Sequence, residues 1–314
     1  MKLIDLHADT VSRLFKTRCT NLDCAPEMRV DLERLKQADS LVQCFSLFNE
    51  SLAPDTFEGW KAFYAFYREV LKKHEDKLAV ILHYDDIARA RGCGKVGVMI
   101  TVEDARPCFG EIGRIDEMVG FGARILSLTW NYETCFAYPN SADKDEHLRG
   151  LKPLGRDAVE RLNDLPCLLD VSHLSLGGTL EALKLARKPV VASHSNAYAV
   201  TPHQRNLTDE EIRGIADTGG VVGINLLPEF LSADGEADFE KTARHIAHIR
   251  KVGGDGVLAV GTDFDGFEYP HQDIRDVSDM PKWADWLLGH GYSLDFVEGM
   301  FFKNALRVFR EVLR

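Results

Sequence analysis

The fold is decided by the passage Cys167-Leu168-Leu169-Asp170-Val171-Ser172-His173, the segment 177–187, and Pro189-Val190-Val191-Ala192-Ser193-His194. The two short apolar runs read as buried strands, and the stretch between them has helical spacing. A strand, a crossover helix and a second strand make a parallel pair. Both strands end on Ser-His. Upstream, apolar Arg124–Trp130 is followed by a helix-like Gly155–Leu165. Downstream, Thr208-Asp209-Glu210-Glu211 is a capping box opening a helix to about Asp217, and Gly219-Gly220 stops it. Val221–Leu227 and Val257–Asp263 read as further strands with a helix, Phe239–Val252, between them.

The first half repeats the alternation more loosely. Leu3-Ile4-Asp5-Leu6-His7-Ala8-Asp9, Val42–Phe48, Leu78–His83 and Val96–Val102 read as strands, and Trp60–Lys73 as a helix. Ser293–Leu313 reads as one closing helix with Ser293 as its N-cap. About eight strands alternating with helices predict an α/β fold, a (β/α)₈ TIM-type barrel. With no repeat or low-complexity linker, residues 1–314 are expected to form a single catalytic domain. In such barrels the active site lies at the C-terminal strand ends.

Polar residues fall at those ends. His7 and Asp9, two apart, would share one face of the first strand. Val96–Val102 leads into Glu103, and later runs end at His173, His194 and Asp263. Each alone is compatible with a hydrogen-bonded core or loop residue. Together, three imidazoles and several carboxylates are costly to bury unless paired or metal-bound. They suit a divalent-metal site in which a carboxylate bridges two ions and Asp263 accepts a proton from metal-bound water.

A net charge of −11 argues against a nucleic-acid-binding surface. The seven cysteines include no CxxC pair and read as mostly buried, reduced thiols. The chain opens directly on a core strand, and no apolar run reaches the ~20 residues of a membrane span. A cytoplasmic protein with no membrane partner is expected.

The ordered set His7-Ala8-Asp9, Glu103, Asp170-Val171-Ser172-His173, Ser193-His194-Ser195-Asn196-Ala197-Tyr198, Arg205-Asn206 and Gly261-Thr262-Asp263-Phe264-Asp265-Gly266 resembles the renal (membrane) dipeptidase family of zinc metallopeptidases. The resemblance covers nearly the whole chain. It implies a (β/α)₈ barrel with two zinc ions: His7 and Asp9 on one, His173 and His194 on the other, Glu103 bridging. It further implies a small dipeptide substrate, attack by a metal-bridging hydroxide, and Asp263 as the proton-shuttling carboxylate. Arg205 would hold the substrate's terminal carboxylate with its planar fork. Trp130 and Asn225 are the other substrate-binding candidates.

Three departures accompany the match. In Leu128-Thr129-Trp130-Asn131, Trp130 stands where established dipeptidases of the family place a substrate-contacting histidine. Indole has no acceptor nitrogen, so it either packs at the rim or stacks on substrate. Leu227 stands where a substrate-binding tyrosine is expected. The charged end Arg307–Arg314 differs from the lipid-anchor signal of membrane-bound members. Alternatives are a related metal-dependent amidohydrolase acting on another small amide, or a metal-binding protein with lost turnover. HxD in place of HxH disfavours the first, and the presence of Asp263 and Arg205 the second. A homodimer is left open. Of the remaining polar residues, His245 and His248 are expected at the surface or behind the site and His203 near the pocket. Asp265 shares Asp263's face.

Overall fold

The computed structural model describes residues 1–48, 56–268 and 271–314. Among them are nine strands: β1 (Leu3–Ala8), β2 (Ser40–Ser46), β3 (Leu78–Val80), β4 (Val96–Glu103), β5 (Ala123–Ser127), β6 (Leu168–Asp170), β7 (Val191–Ala192), β8 (Val221–Ile224) and β9 (Leu258–Val260). All pair in parallel. The order is β2-β1-β9-β8-β7-β6-β5-β4-β3, and a further β2–β4 pairing closes eight of them into a ring. The predicted (β/α)₈ barrel is therefore present, with β3 outside the ring. β3 pairs with Val96–Val98 of β4, and β5 takes over from Ile100 onward.

Period-two alternation grades the barrel interior from dry to polar. Every ring strand contributes to one buried apolar cluster: Ile4, Val42, Met99, Ile125, Leu168, Val191, Val221 and Ala259 are members. Two or four residues further along stand Ser46 (after Cys44), Glu103, Ser127, Asp170, Ser193, Asn225 and Asp263. The chemistry therefore collects at one mouth. The other end is closed by Val308, Phe309 and Val312, which belong to the same cluster.

The helix Asp209–Asp217 carries the predicted capping box: Glu211 N donates to Thr208 Oγ1 and Thr208 N to Glu211 Oε2 (2.8 Å). The C-terminal segment departs from expectation. Ser293 does cap it, accepting from Phe296 N, but the helix is interrupted by a π-helical stretch, Gly299–Lys303. That wider turn keeps Met300 and Phe301 buried while Asn304 Nδ2 donates to the Asp255 and Leu258 carbonyls. The cysteines also depart. All seven are free, but only Cys44, Cys108 and Cys167 are buried, and Cys19, Cys24 and Cys93 are exposed. Among the described residues, no helix is long and apolar enough to cross a membrane.

Candidate metal centre

β4 reaches Glu103 and β1 carries His7, but the other strands stop short of the residues they were expected to end on, and this shapes the site. Asp9 lies beyond β1, as the first cap of helix Thr10–Thr17. β6 ends three residues before His173, and β9 three before Asp263. His173 (φ 72°) and Asp263 (φ 61°) both occupy the left-handed region, where non-glycine residues are strained and surrounding contacts must hold them. For His173 those contacts converge on its carbonyl, which accepts from Asn140 N (2.7 Å), Asn140 Nδ2 (3.1 Å) and Thr129 Oγ1 (3.3 Å).

The structure gathers the five predicted ligands together, with His7, Asp9, His173 and His194 around the carboxylate of Glu103. Glu103 Oε2 faces His7 Nε2 at 3.1 Å. Its Oε1 faces His173 Nε2 at 2.9 Å and His194 Nε2 at 3.5 Å. Asp9 Oδ2 lies 3.4 Å and Asp263 Oδ1 3.9 Å from His7 Nε2. Three donor groups overlap here: His7-Asp9-Glu103, Glu103-His173-His194 and His7-His194-Asp263. The two oxygens of Glu103 thus point into two separate donor sets.

Local hydrogen bonds at Nδ1 turn the Nε2 atoms of His173 and His194, 3.0 Å apart, toward the centre. His173 Nδ1 donates to Asn131 Oδ1 (2.9 Å). His194 Nδ1 donates to Ser193 Oγ (2.7 Å), whose proton goes to Asp170 Oδ2. Each relay fixes the tautomer with the Nε2 lone pair exposed, the arrangement metal-binding imidazoles require. Burial, with Arg205 nearby, pushes the His173 pKa down to about 4. Burial and the charge on His7 push His194 well below its ordinary value. Both are therefore neutral at pH 7. Burial also opposes a charge on His7, but Glu103 and Asp9 outweigh it and hold its pKa well above the usual range. Among the described residues, His7 Nε2 and Asp9 Oδ1 are buried without a hydrogen bond of good geometry, although Glu103 Oε2 lies 3.1 Å from the former. Such atoms are expensive to leave unpaired, and a cation among them would satisfy both. The residues fit a pair of divalent ions.

Asp263 faces the same cluster. Burial raises its pKa to about 7, with Asp9 and Glu103 adding to the rise. Asn225 Nδ2 donates to Asp263 Oδ2 (2.9 Å), which leaves Oδ1 turned toward His7. Asn225, predicted as a substrate contact, is fully buried and holds this carboxylate; its own Oδ1 accepts from Leu227 N (2.7 Å). Gly266 is required by space, because a Cβ there would fall 2.5 Å from Asp263 Oδ1 and 2.6 Å from Asp9 Oδ2. Asp265 does not enter the cluster. It accepts from Thr10 Oγ1 (2.6 Å) and Arg29 N (2.8 Å), tying down the start of the helix capped by Asp9.

Arg205 is buried beside the centre. It donates to His194 O (2.9 Å) and Ser195 Oγ (3.1 Å), while its Nε has no partner among the described residues. Trp130 is half-buried, its ring 6.0 Å from that of His173. His203 accepts from Arg205 N (3.2 Å), and its ring lies 4.7 Å from that of Phe230, tilted by 38°.

Of the two places open to His245, at the surface or behind the site, the structure shows the second, with the ring fully buried. Its Nδ1 accepts from Ala197 N (3.0 Å) and its Nε2 donates to Leu231 O (3.0 Å), pinning the loop that carries Arg205. Helical spacing alone could not separate it from His248, which faces outward to Asp209 (2.7 Å). Burial lowers the His245 pKa from 6.5 to about 4. The unfolded chain therefore takes up this proton first as pH falls. The stabilising effect is complete above 6.5 and is lost between 6.5 and 4. Between pH 7 and 5, the metal-free wild type should lose about 2 kcal/mol more than His245→Gln. Urea unfolding of both at the two pH values checks this. Equal losses would show that His245 titrates normally.

The family described as membrane dipeptidase (peptidase family M19) matches residues 1–314. A Klebsiella pneumoniae protein, described as uncharacterized and in the pqqA 5′ region, is 31% identical over 258 residues, 79% of this chain and 94% of its own. An uncharacterized dipeptidase of Schizosaccharomyces pombe is 28% identical over 297 residues, covering 90% and 71% of the two chains. A Rhodobacter sphaeroides metallopeptidase, solved with a phosphinate mimic of the dipeptide L-Ala-D-Ala, superposes with a TM-score of 0.91. It is 25% identical, and 99% of each chain is covered.

Proposed function

Since this chain belongs to the membrane dipeptidase family and is a peptide-bond hydrolase, we propose that it is a zinc-dependent dipeptidase holding two ions. The observation that carries the reading is the division of Glu103, with one oxygen toward His7 and the other toward His173 and His194. His7 and Asp9 would hold one ion, His173 and His194 the second, and Glu103 both. Mixed imidazole and carboxylate donors suit zinc. Zinc bound there supplies polarisation of the scissile carbonyl and a water acidic enough to act near neutral pH.

The remaining chemistry belongs to the side chains. Asp263 Oδ1, facing the centre, takes the attacking water's proton and returns it to the departing amine. Asn225 keeps the carboxylate's other oxygen occupied, so the proton has one place to go. Arg205 supplies a buried cation with an unspent N–H, suited to the substrate's terminal carboxylate. The ligand of the Rhodobacter sphaeroides relative motivates dipeptides with a D-configured carboxy-terminal residue as first substrates.

The test is a dipeptide panel, with L- and D-carboxy termini, run on zinc-loaded protein. Hydrolysis should disappear with chelator and return with zinc. Arg205→Met should raise KM about 100-fold, the scale of a lost charge-assisted pair, and make the enzyme indifferent to amidation of the substrate's carboxyl group. Two bound zinc ions with no dipeptide cleaved would defeat the reading.

A further inference from the structure

Trp130 belongs to an aromatic group that the metal chemistry does not use. Its ring lies 4.7 Å from Phe48 and 5.4 Å from Tyr132, and 6.0 Å from the candidate ligand His173. Phe48 and Trp130 are half-buried, and Tyr132 is 45% exposed, so the three rings keep accessible apolar surface beside a polar centre. Arg106 lies over the Tyr132 ring at 5.0 Å, but its charge is already paired with Asp104. The group therefore presents apolar ring surface, and the charge at its edge is already paired.

Its place in the barrel gives it a direction. Phe48 follows β2, and Trp130 and Tyr132 follow β5. Around the closed ring, β2 stands four strands from β7, after which come His194 and Arg205. β5 stands four strands from β9, after which comes Asp263. Phe48 thus follows the strand opposite the one that leads to Arg205, and Trp130 and Tyr132 follow the strand opposite the one that leads to Asp263. A dipeptide with its carboxylate on Arg205 and its peptide carbonyl over Glu103 extends its amino-terminal residue toward the rings.

We propose that Phe48, Trp130 and Tyr132 form a specificity wall that receives the substrate's amino-terminal side chain and selects aromatic and large aliphatic ones. The proposal rests on the dipeptidase reading above. Indole suits the task because it stacks over a large area and has no acceptor to draw a polar group. The tryptophan that departs from the family's histidine thereby acquires a function.

The test compares kcat/KM of zinc-loaded enzyme on Phe-Xaa, Leu-Xaa and Gly-Xaa sharing one carboxy-terminal residue, together with the reversed Gly-Phe. Wild type should favour Phe-Xaa and Leu-Xaa over Gly-Xaa by about tenfold or more, as expected for one aromatic contact plus the buried side chain. Trp130→Ala should bring that ratio to within about threefold of unity, and Trp130→Phe should preserve most of it. Tyr132→Ala, at an exposed position, should lower the ratio in the same direction and serves as the variant least able to disturb folding. Bound zinc and thermal stability are measured for each. An unchanged ratio in both alanine variants, or a preference that follows the carboxy-terminal residue, overturns the wall and spares the dipeptidase. Failure of wild type to cleave any dipeptide overturns both.

Discussion

Asp263→Asn should lower kcat by about 10³-fold, within the range for loss of a positioned proton carrier, while both zinc ions stay bound. The substitution is nearly isosteric, and its amide oxygen can still accept from Asn225 Nδ2 at the place of Oδ2. What it removes is the basic atom at Oδ1, 3.9 Å from His7 Nε2. It also removes one of three buried carboxylates, so repulsion by Asp9 and Glu103 at this position falls. The metal-free variant should therefore unfold at the same temperature as wild type or higher. Steady-state kinetics with elemental analysis decides the matter. Loss of zinc along with activity would make Asp263 a ligand, a role its grouping with His7 and His194 also permits. A fall in kcat of less than tenfold with zinc retained would assign the proton to another group.

Sequence reading reached the candidate donors of the metal centre but missed most of what holds them in place. His7, Asp9, Glu103, His173, His194 and Asp263 were legible because a barrel places polar residues after apolar runs at one end, and five of those runs end in ligand-type residues. The register of the runs was less legible. Asp9 and His173 were read as the ends of strands, but both lie past the strands' last residues, Ala8 and Asp170. A left-handed turn at His173 re-aims its ring, a backbone property that periodicity does not encode.

The supporting contacts span long separations: Asn140 to His173, Asn225 to Asp263, Ser46 to Glu103. Only the Asp170–Ser193 relay carried a usable signal. Asp170 stands three before one histidine and Ser193 one before the other, at inward positions at the ends of neighbouring strands where Asp170 pairs with Val191. A polar residue facing a barrel interior needs a partner, and the adjacent strand at that level supplies one. The first half was harder because its short helices, Leu32–Gln37 and Tyr84–Gly92 among them, offer too few turns for a 3.6-residue period to emerge.

Glu103→Gln tests the feature on which the two-ion reading depends, and its expected effect is the larger. The amide keeps one oxygen and replaces the other with an N–H group that cannot bind a cation. Only one donor set can then be completed, whichever way the amide turns. Ser46 Oγ, which donates to Glu103 Oε2 at 3.0 Å, favours an orientation that leaves oxygen toward His7. The His173–His194 set is then the weaker. Bound zinc should fall from two equivalents to one or fewer. Losing several kcal/mol of charge stabilisation at the reacting carbonyl should lower kcat/KM by about 10³-fold or more. A second readout does not depend on turnover. Zinc at about 1,000 times its dissociation constant stabilises a folded protein by about 4 kcal/mol per site, so wild type should show a large rise in melting temperature on zinc addition. In Glu103→Gln that rise should shrink to half or less. An unaltered rise with two zinc ions bound would mean that His7-Asp9 and His173-His194 hold their ions independently, and Glu103 would no longer be a bridge.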